Sequence, residues 1–114
     1  WQNMLKRGAT ITMEAWDDSL KPNQDWNHPW GASPVNIISR YLAGIQPLLP
    51  GFDLFLVDPQ PGSLKSFTLR HPTVHGPISM QLESKDFLLE VPAGSTALFK
   101  QQKLQAGQHR LKLS

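Results

Sequence analysis

Cysteine is absent from the 114 residues. The chain therefore has no disulfide framework, no thiolate metal site and no thiol nucleophile. Runs approaching the roughly 18 apolar residues of a membrane span are also missing, and the N-terminus lacks the basic-then-apolar order of a signal peptide. Eleven Lys+Arg against nine Asp+Glu leave a formal charge of +2 with no basic block. Nucleic acid is thus a poor partner, because tracking phosphates requires clustered cations. A Gly-rich phosphate loop, a His-Glu-x-x-His zinc pattern, a Gly-x-Ser-x-Gly elbow and a Cys/His cluster are all wanting, so no cofactor or metal is expected. Trp1 is not a translational start, and the chain reads as an excised piece of a larger protein.

Tryptophan is confined to one end: Trp1, Trp16, Trp26 and Trp30 all fall in the first 30 residues. The change of style marks a boundary near Pro50 to Pro61, with residues 1–50 as one part and 51–114 as another. In the first part, Ser33 suits a helix N-cap and Pro34 the first helical position, where its missing N–H costs nothing. Val35, Ile38, Leu42 and Ile45 recur at helical spacing, and Gly44, Pro47 and Pro50 end the helix. A shorter helix is expected over Gln2 to Lys6. Between these helices, residues 9–33 form a loop of unusual length for a compact domain. Its tryptophans argue against disorder, since disordered segments lack aromatic side chains.

The second part reads as strand and turn. Leu54 to Val57, Leu64 to Leu69, Ile78 to Leu82, Phe87 to Val91, Thr96 to Phe99 and Arg110 to Leu113 are short and apolar-rich, with Pro and Gly punctuation between them. Ile78-Ser79-Met80-Gln81-Leu82 and Arg110-Leu111-Lys112-Leu113 alternate, so each should bury one face. The expected fold is mainly β with a helical N-terminal part, the strands forming a small antiparallel sandwich.

The residues able to carry chemistry gather in the long loop: Glu14, Asp17, Asp18, Asp25, His28 and the indoles of Trp16, Trp26 and Trp30. Carboxylates interleaved with tryptophans suit a carbohydrate, because indoles stack on apolar ring faces while hydroxyls need acceptors. The plainer reading of each residue is structural. A lone glutamate after an apolar run is ordinarily solvated, a His between Asn and Pro ordinarily holds a turn, and indoles ordinarily anchor a core. Asp17, Asp18 and Asp25 read as solvated turns, and His71, His75 and His109, at no metal-ligand spacing, as surface residues.

Gly8-Ala9-Thr10, Glu14-Ala15-Trp16, Trp26-Asn27-His28-Pro29-Trp30-Gly31, Leu42-Ala43-Gly44-Ile45 and Pro50-Gly51-Phe52 occur in an order that resembles the C-terminal end of bacterial α-L-rhamnosidases of the inverting six-hairpin type. Ile11 stands where that family has a second threonine, and Met13 where it has a tryptophan. The resemblance implies that residues 1–50 are the last part of an (α/α)6 barrel and residues 51–114 a C-terminal β-sandwich. It implies Glu14 as the general base, with His28, Trp16 and Trp30 in or beside the sugar pocket. It further implies hydrolysis of terminal α-L-rhamnosides with inversion, the two carboxyls standing roughly 6.5 to 9.5 Å apart. No carboxylate here matches the family's general acid, so the isolated chain should be inactive. The apolar flank of Ile11, Met13 and Trp16 is expected to raise the Glu14 pKa by desolvation. The expected partners are a carbohydrate substrate, the remainder of the parent enzyme, and a second copy of the chain through the uncovered helix face. The competing readings are a non-catalytic carbohydrate-binding module and a structural appendage of a larger enzyme.

Overall fold

The computed structural model describes Trp1 to Leu113. Its contacts divide the chain into two compact units, Trp1–Asn36 and Ile37–Ser114. The smaller unit opens with α1 (Gln2–Lys6), a single turn that buries Met4. After the long loop come a 3-10 turn, Pro29–Ala32, and the start of α2 (Ser33–Ile37). Ser33 lies inside the helix rather than capping it, because the 3-10 turn runs directly into α2.

The larger unit begins in a π-helical turn, Ile38–Leu42, closed by the bond from the Ala43 N–H to the Ile38 carbonyl at 2.9 Å. The helical segment ends at Leu42 and Gly44 takes a positive φ, as the expected stop requires, so Ile45, though at helical spacing, lies beyond it. Ile45 is buried in a strand, β1 (Ile45–Pro47). The remaining strands are β2 (Leu54–Val57), β3 (Ser66–His71), β4 (Ile78–Glu83), β5 (Asp86–Val91), β6 (Thr96–Phe99), β7 (Gln102–Leu104) and β8 (Gly107–Lys112). Among the described residues eight strands replace the six expected, since β1 is hidden by helical spacing and β7 holds one buried apolar residue, Leu104.

Two four-stranded sheets result, ordered β1-β2-β6-β7 and β3-β4-β5-β8. All pairs but one are antiparallel; β2 and β6 run parallel, with Leu54 opposite Thr96. The mainly β, antiparallel sandwich expected from the sequence is met apart from this one pair, where the chain crosses to the other sheet for β3, β4 and β5 before returning as β6. The alternation read in Ile78 to Leu82 is realised, with Ile78, Met80 and Leu82 of β4 buried, while in Arg110 to Leu113 the leucines are only partly buried; Phe87, Leu89 and Val91 of β5 are buried as well. They join Phe55, Val57, Ala97 and Phe99 from the facing sheet in one core. Phe87 and Phe99 meet edge-to-face at 5.4 Å between centroids, a geometry the ring quadrupoles favour.

Two histidines are more than surface residues. His71 is half-buried, 4.8 Å from the Phe52 ring, and burial lowers its pKa. The Nε2 of His75 lies 2.6 Å from Asp53 Oδ1, and its ring packs where a Cβ on Gly94 would approach Nδ1 to 2.9 Å. His109 is tied to the Gln105 carbonyl at 2.7 Å. Among the described residues, no group of three His, Cys, Asp or Glu is placed to hold a metal ion, and no helix is long and apolar enough to cross a membrane.

Gly44 is the tightest point of the larger unit. It sits at φ +68°, and a Cβ there would lie 2.0 Å from the Asp58 carbonyl oxygen. The Asp58 N–H also donates to the Gly44 carbonyl at 3.0 Å, so the two backbones are held together where β1 begins. Gly44→Ala adds both a left-handed strain and a backbone clash, and should cost about 3 kcal/mol or more. Val74→Ala, at a side chain 81% exposed, should stay within about 0.5 kcal/mol. Denaturant unfolding of the two variants checks this; equal midpoints would contradict the role given to Gly44.

Candidate functional site

The long loop is held by polar side chains rather than by helix or strand. At its base, the His28 N–H donates to the Thr12 carbonyl at 2.8 Å, and the Thr12 hydroxyl donates to the His28 carbonyl. A Cβ on Gly31 would come within 2.8 Å of Thr12 Cβ, so glycine is what lets the returning chain close on Thr12. One step further in, the Glu14 N–H donates to the Asp25 carbonyl at 2.8 Å. The Asp25 N–H returns a bond to Glu14 Oε2 at 3.1 Å. Two facing backbone segments thus run from Thr12 to Glu14 and from Asp25 to His28.

Glu14 sits at the centre of this base. Its side chain is 15% exposed, and Oε1 is paired with the ammonium of Lys21. The pKa is lowered, first by the Lys21 hydrogen bond and then by the Asp25 N–H, and these outweigh desolvation. The expected upward shift is therefore reversed: Met13 is buried, but the carboxylate itself meets a cation and a backbone donor. His28 lies close enough for its charge to add a smaller lowering.

The aspartates expected to be solvated turns are structural. Asp18 pairs with Arg7 and accepts from Gln24 Nε2 at 2.7 Å, while Gln24 Oε1 takes the Ala15 N–H at 2.9 Å. Asp17 accepts from the Ser19 N–H at 3.0 Å and from Asn3 Nδ2 at 3.2 Å. The Arg7 hydrogen bond, above all, lowers the Asp18 pKa, and the Ser19 backbone bond that of Asp17. Asp25 caps its own turn through the Asn27 N–H at 2.8 Å.

The indoles stay at the surface. Trp30 is 67% exposed, and its ring lies 4.2 Å from that of His28. Trp16, 49% exposed, meets Trp1 edge-to-face at 4.8 Å. Arg7 lies over Trp26 at 5.1 Å. Glu14 and His28 therefore share the loop base, while Trp30 reaches the site through His28 and Trp16 is joined to Trp1. A groove of about 310 Å³ in this unit is lined by Trp1, Met4, Leu5, Ile11 and Val35 among others, and Glu14 is not part of it. Sequence reasoning missed Lys21 and Arg7. Neither stands at a regular spacing from its partner, and only the charge balance of the loop pointed to them.

The lowered carboxylates make this unit acid-sensitive. Their folded values lie below the ordinary carboxylate range, so the stabilisation is complete above about pH 4.5 and is lost as the pH falls through the lowered values. All four tryptophans report on this unit alone. Their fluorescence should change as the pH falls below the ordinary carboxylate range, about pH 4; a flat signal on acidification would contradict the network.

Three comparisons place the chain. Residues 44–109 match the family described as the bacterial alpha-L-rhamnosidase C-terminal domain. No curated protein matches it. The native α-L-rhamnosidase from Aspergillus terreus is similar over 96% of this chain and 15% of its own, with a TM-score of 0.80 and 22% identity. The Streptomyces avermitilis α-L-rhamnosidase complexed with L-rhamnose is similar over 96% of this chain and 14% of its own, with a TM-score of 0.75 and 21% identity. The α-L-rhamnosidase from Dictyoglumus thermophilum covers 84% of this chain and 12% of its own, with a TM-score of 0.66 and 26% identity. The chain thus spans about 15% of the length of the first of these proteins. A likeness over 96% of the chain extends beyond residues 44–109 and takes in N-terminal residues as well. With more than half of its residues inside the matched segment, the chain belongs to the bacterial α-L-rhamnosidase C-terminal domain family.

Proposed function

We propose that this chain is the C-terminal part of an inverting glycoside hydrolase that releases terminal α-L-rhamnose or a related sugar. The observation that carries the reading is the family match over residues 44–109, joined to the likeness with rhamnosidase structures over 96% of the chain. The N-terminal residues would be the end of an (α/α)6 catalytic barrel, and the sandwich the domain that follows it. Trp30 and Val35 of the smaller unit are exposed, and uncovered apolar side chains there suit a surface that the remainder of the parent, or a second copy of the chain, would cover.

In this reading Glu14 is the general base. Its lowered pKa keeps it ionised near neutral pH, ready to accept a proton from water on the face of the sugar opposite the leaving group. His28 and Trp30, whose rings are in contact, would be substrate contacts, and Trp16, packed on Trp1, a more distant part of the pocket wall. The Lys21 ammonium holds the Glu14 carboxylate in place and sets its basicity. The general acid comes from outside these residues, so the chain alone does not turn over substrate. A non-catalytic module that holds neutral sugars by indole stacking on the sandwich has less support, because all four indoles lie within residues 1–30.

In the full-length parent, Glu14→Gln should lower kcat for an aryl rhamnoside by about 10²- to 10⁴-fold, the usual worth of a general base, with KM little changed. Wild-type turnover would remove Glu14 from the mechanism. Lys21→Met removes the largest cause of the Glu14 shift. The acid limb of kcat/KM should then move to higher pH, since that limb reports the free-enzyme base. An unmoved limb would mean that another group is the base.

A further inference from the structure

A second cleft lies at one end of the sandwich. It encloses about 900 Å³ and lies entirely within residues 37–113, a volume in the range of ligand sites. Its wall is aliphatic, with Leu56, Leu64, Leu98 and Leu113. Its rim is cationic, with Lys65, Lys85 and Lys100, against one carboxylate, Asp58. Among the described residues none of the three lysines is within 4.0 Å of a carboxylate. Glu83 and Asp86 flank the same turn as Lys85 but line a separate groove with Arg110.

The backbone holds these lysines in one place. The Ser84 N–H donates to the Lys65 carbonyl at 2.6 Å, and the Leu113 N–H to the Lys85 carbonyl at 2.7 Å. The Lys100 ammonium donates to the Lys112 carbonyl at 3.1 Å, joining the turn after β6 in one sheet to β8 in the other. Two of the three turns bearing them hold non-glycine residues in the left-handed region. Lys100 and Gln101, the two central residues between Phe99 and Gln102, both have positive φ (47° and 68°), as has Ser84 at 58°. Such turns ordinarily take Asn-Gly, and strained residues that persist cluster at ligand sites. Ser84, Lys100 and Gln101 all line the cleft.

We infer that this cleft binds an acidic oligosaccharide. Sugar carboxylates would meet Lys65, Lys85 and Lys100, and the C–H faces of the rings would lie on the leucines. The charge and the aliphatic wall specify an anion with apolar faces; choosing a sugar among such anions rests on the glycoside hydrolase reading above. The lysines would hold an acidic chain against the sandwich.

Titrating trigalacturonate into the 114-residue chain, followed by amide NMR shifts, tests this. Binding is expected at low salt, with shifts at Ser84, Lys85, Lys100 and Gln101, and loss of affinity as salt rises through about 0.5 M. Maltotriose, the neutral probe, should not bind. The double variant Lys65→Gln with Lys85→Gln should weaken binding about tenfold, with circular dichroism reporting that the sheets persist. If that variant unfolds, the salt dependence and shift map of the wild-type chain decide. The inference is overturned by no binding of trigalacturonate, by equal binding of maltotriose, by shifts at Trp16 and Trp30 instead, or by a folded double variant that binds as tightly. None of these readings involves catalysis, so failure here leaves the Glu14 assignment standing, and active Glu14→Gln enzyme leaves this cleft untouched.

Discussion

The larger unit depends on burying one apolar face of β4 and β5 against β2 and β6. Ile78, Met80, Leu82, Phe87, Leu89 and Val91 supply one side, and Phe55, Val57, Ala97 and Phe99 the other. Each large side chain that leaves water contributes roughly 1.5 to 3 kcal/mol, so the ten together outweigh any single polar contact in the unit. A one-residue slip of β4 would turn its whole apolar set outward, and that penalty fixes the register with β3 and β5. The cleft rimmed by lysines exists because strands of fixed register bring three separate turns to one end of the sandwich.

The smaller unit is built on a different principle. It has two short helical segments, and the 3-10 turn that joins the second to the loop buries nothing. Its loop is ordered instead by charged and amide side chains: Arg7 with Asp18, Gln24 with Ala15, Lys21 with Glu14. Partly exposed pairs of this kind are individually weak, and their value lies in geometry. They fix where a carboxylate, an imidazole and an indole stand. In the function proposed above, this loop is one wall of a sugar site that another part of the parent would complete.

Much of the sandwich was legible because a strand with one buried face writes its period into the sequence. Thr96 to Phe99 and Leu54 to Val57 were read with the bounds they have, and Ile78 to Leu82 to within one residue. The failures share a cause. Val35, Ile38, Leu42 and Ile45 do stand at helical spacing, but Ile45 lies beyond the Gly44 stop and is buried in a strand opposite Val57, a pairing that the local period does not reveal. Lys100 and Gln101 carry no turn signature, because the left-handed backbone they adopt is imposed by the strands on either side.

For the site, the sequence by itself determined which groups are present: Glu14, His28 and the indoles, in an order specific enough to indicate a family. It also determined that one face of each central strand is apolar, since alternation is a one-dimensional property. Only the tertiary structure decided that Lys21 and the Asp25 N–H meet Glu14, turning an expected rise of its pKa into a fall. Only it decided that β2 and β6 run parallel and that Lys65, Lys85 and Lys100 share a rim. Each of these depends on distances between residues far apart in the chain, and electrostatic and hydrogen-bonding energies are functions of those distances rather than of sequence order.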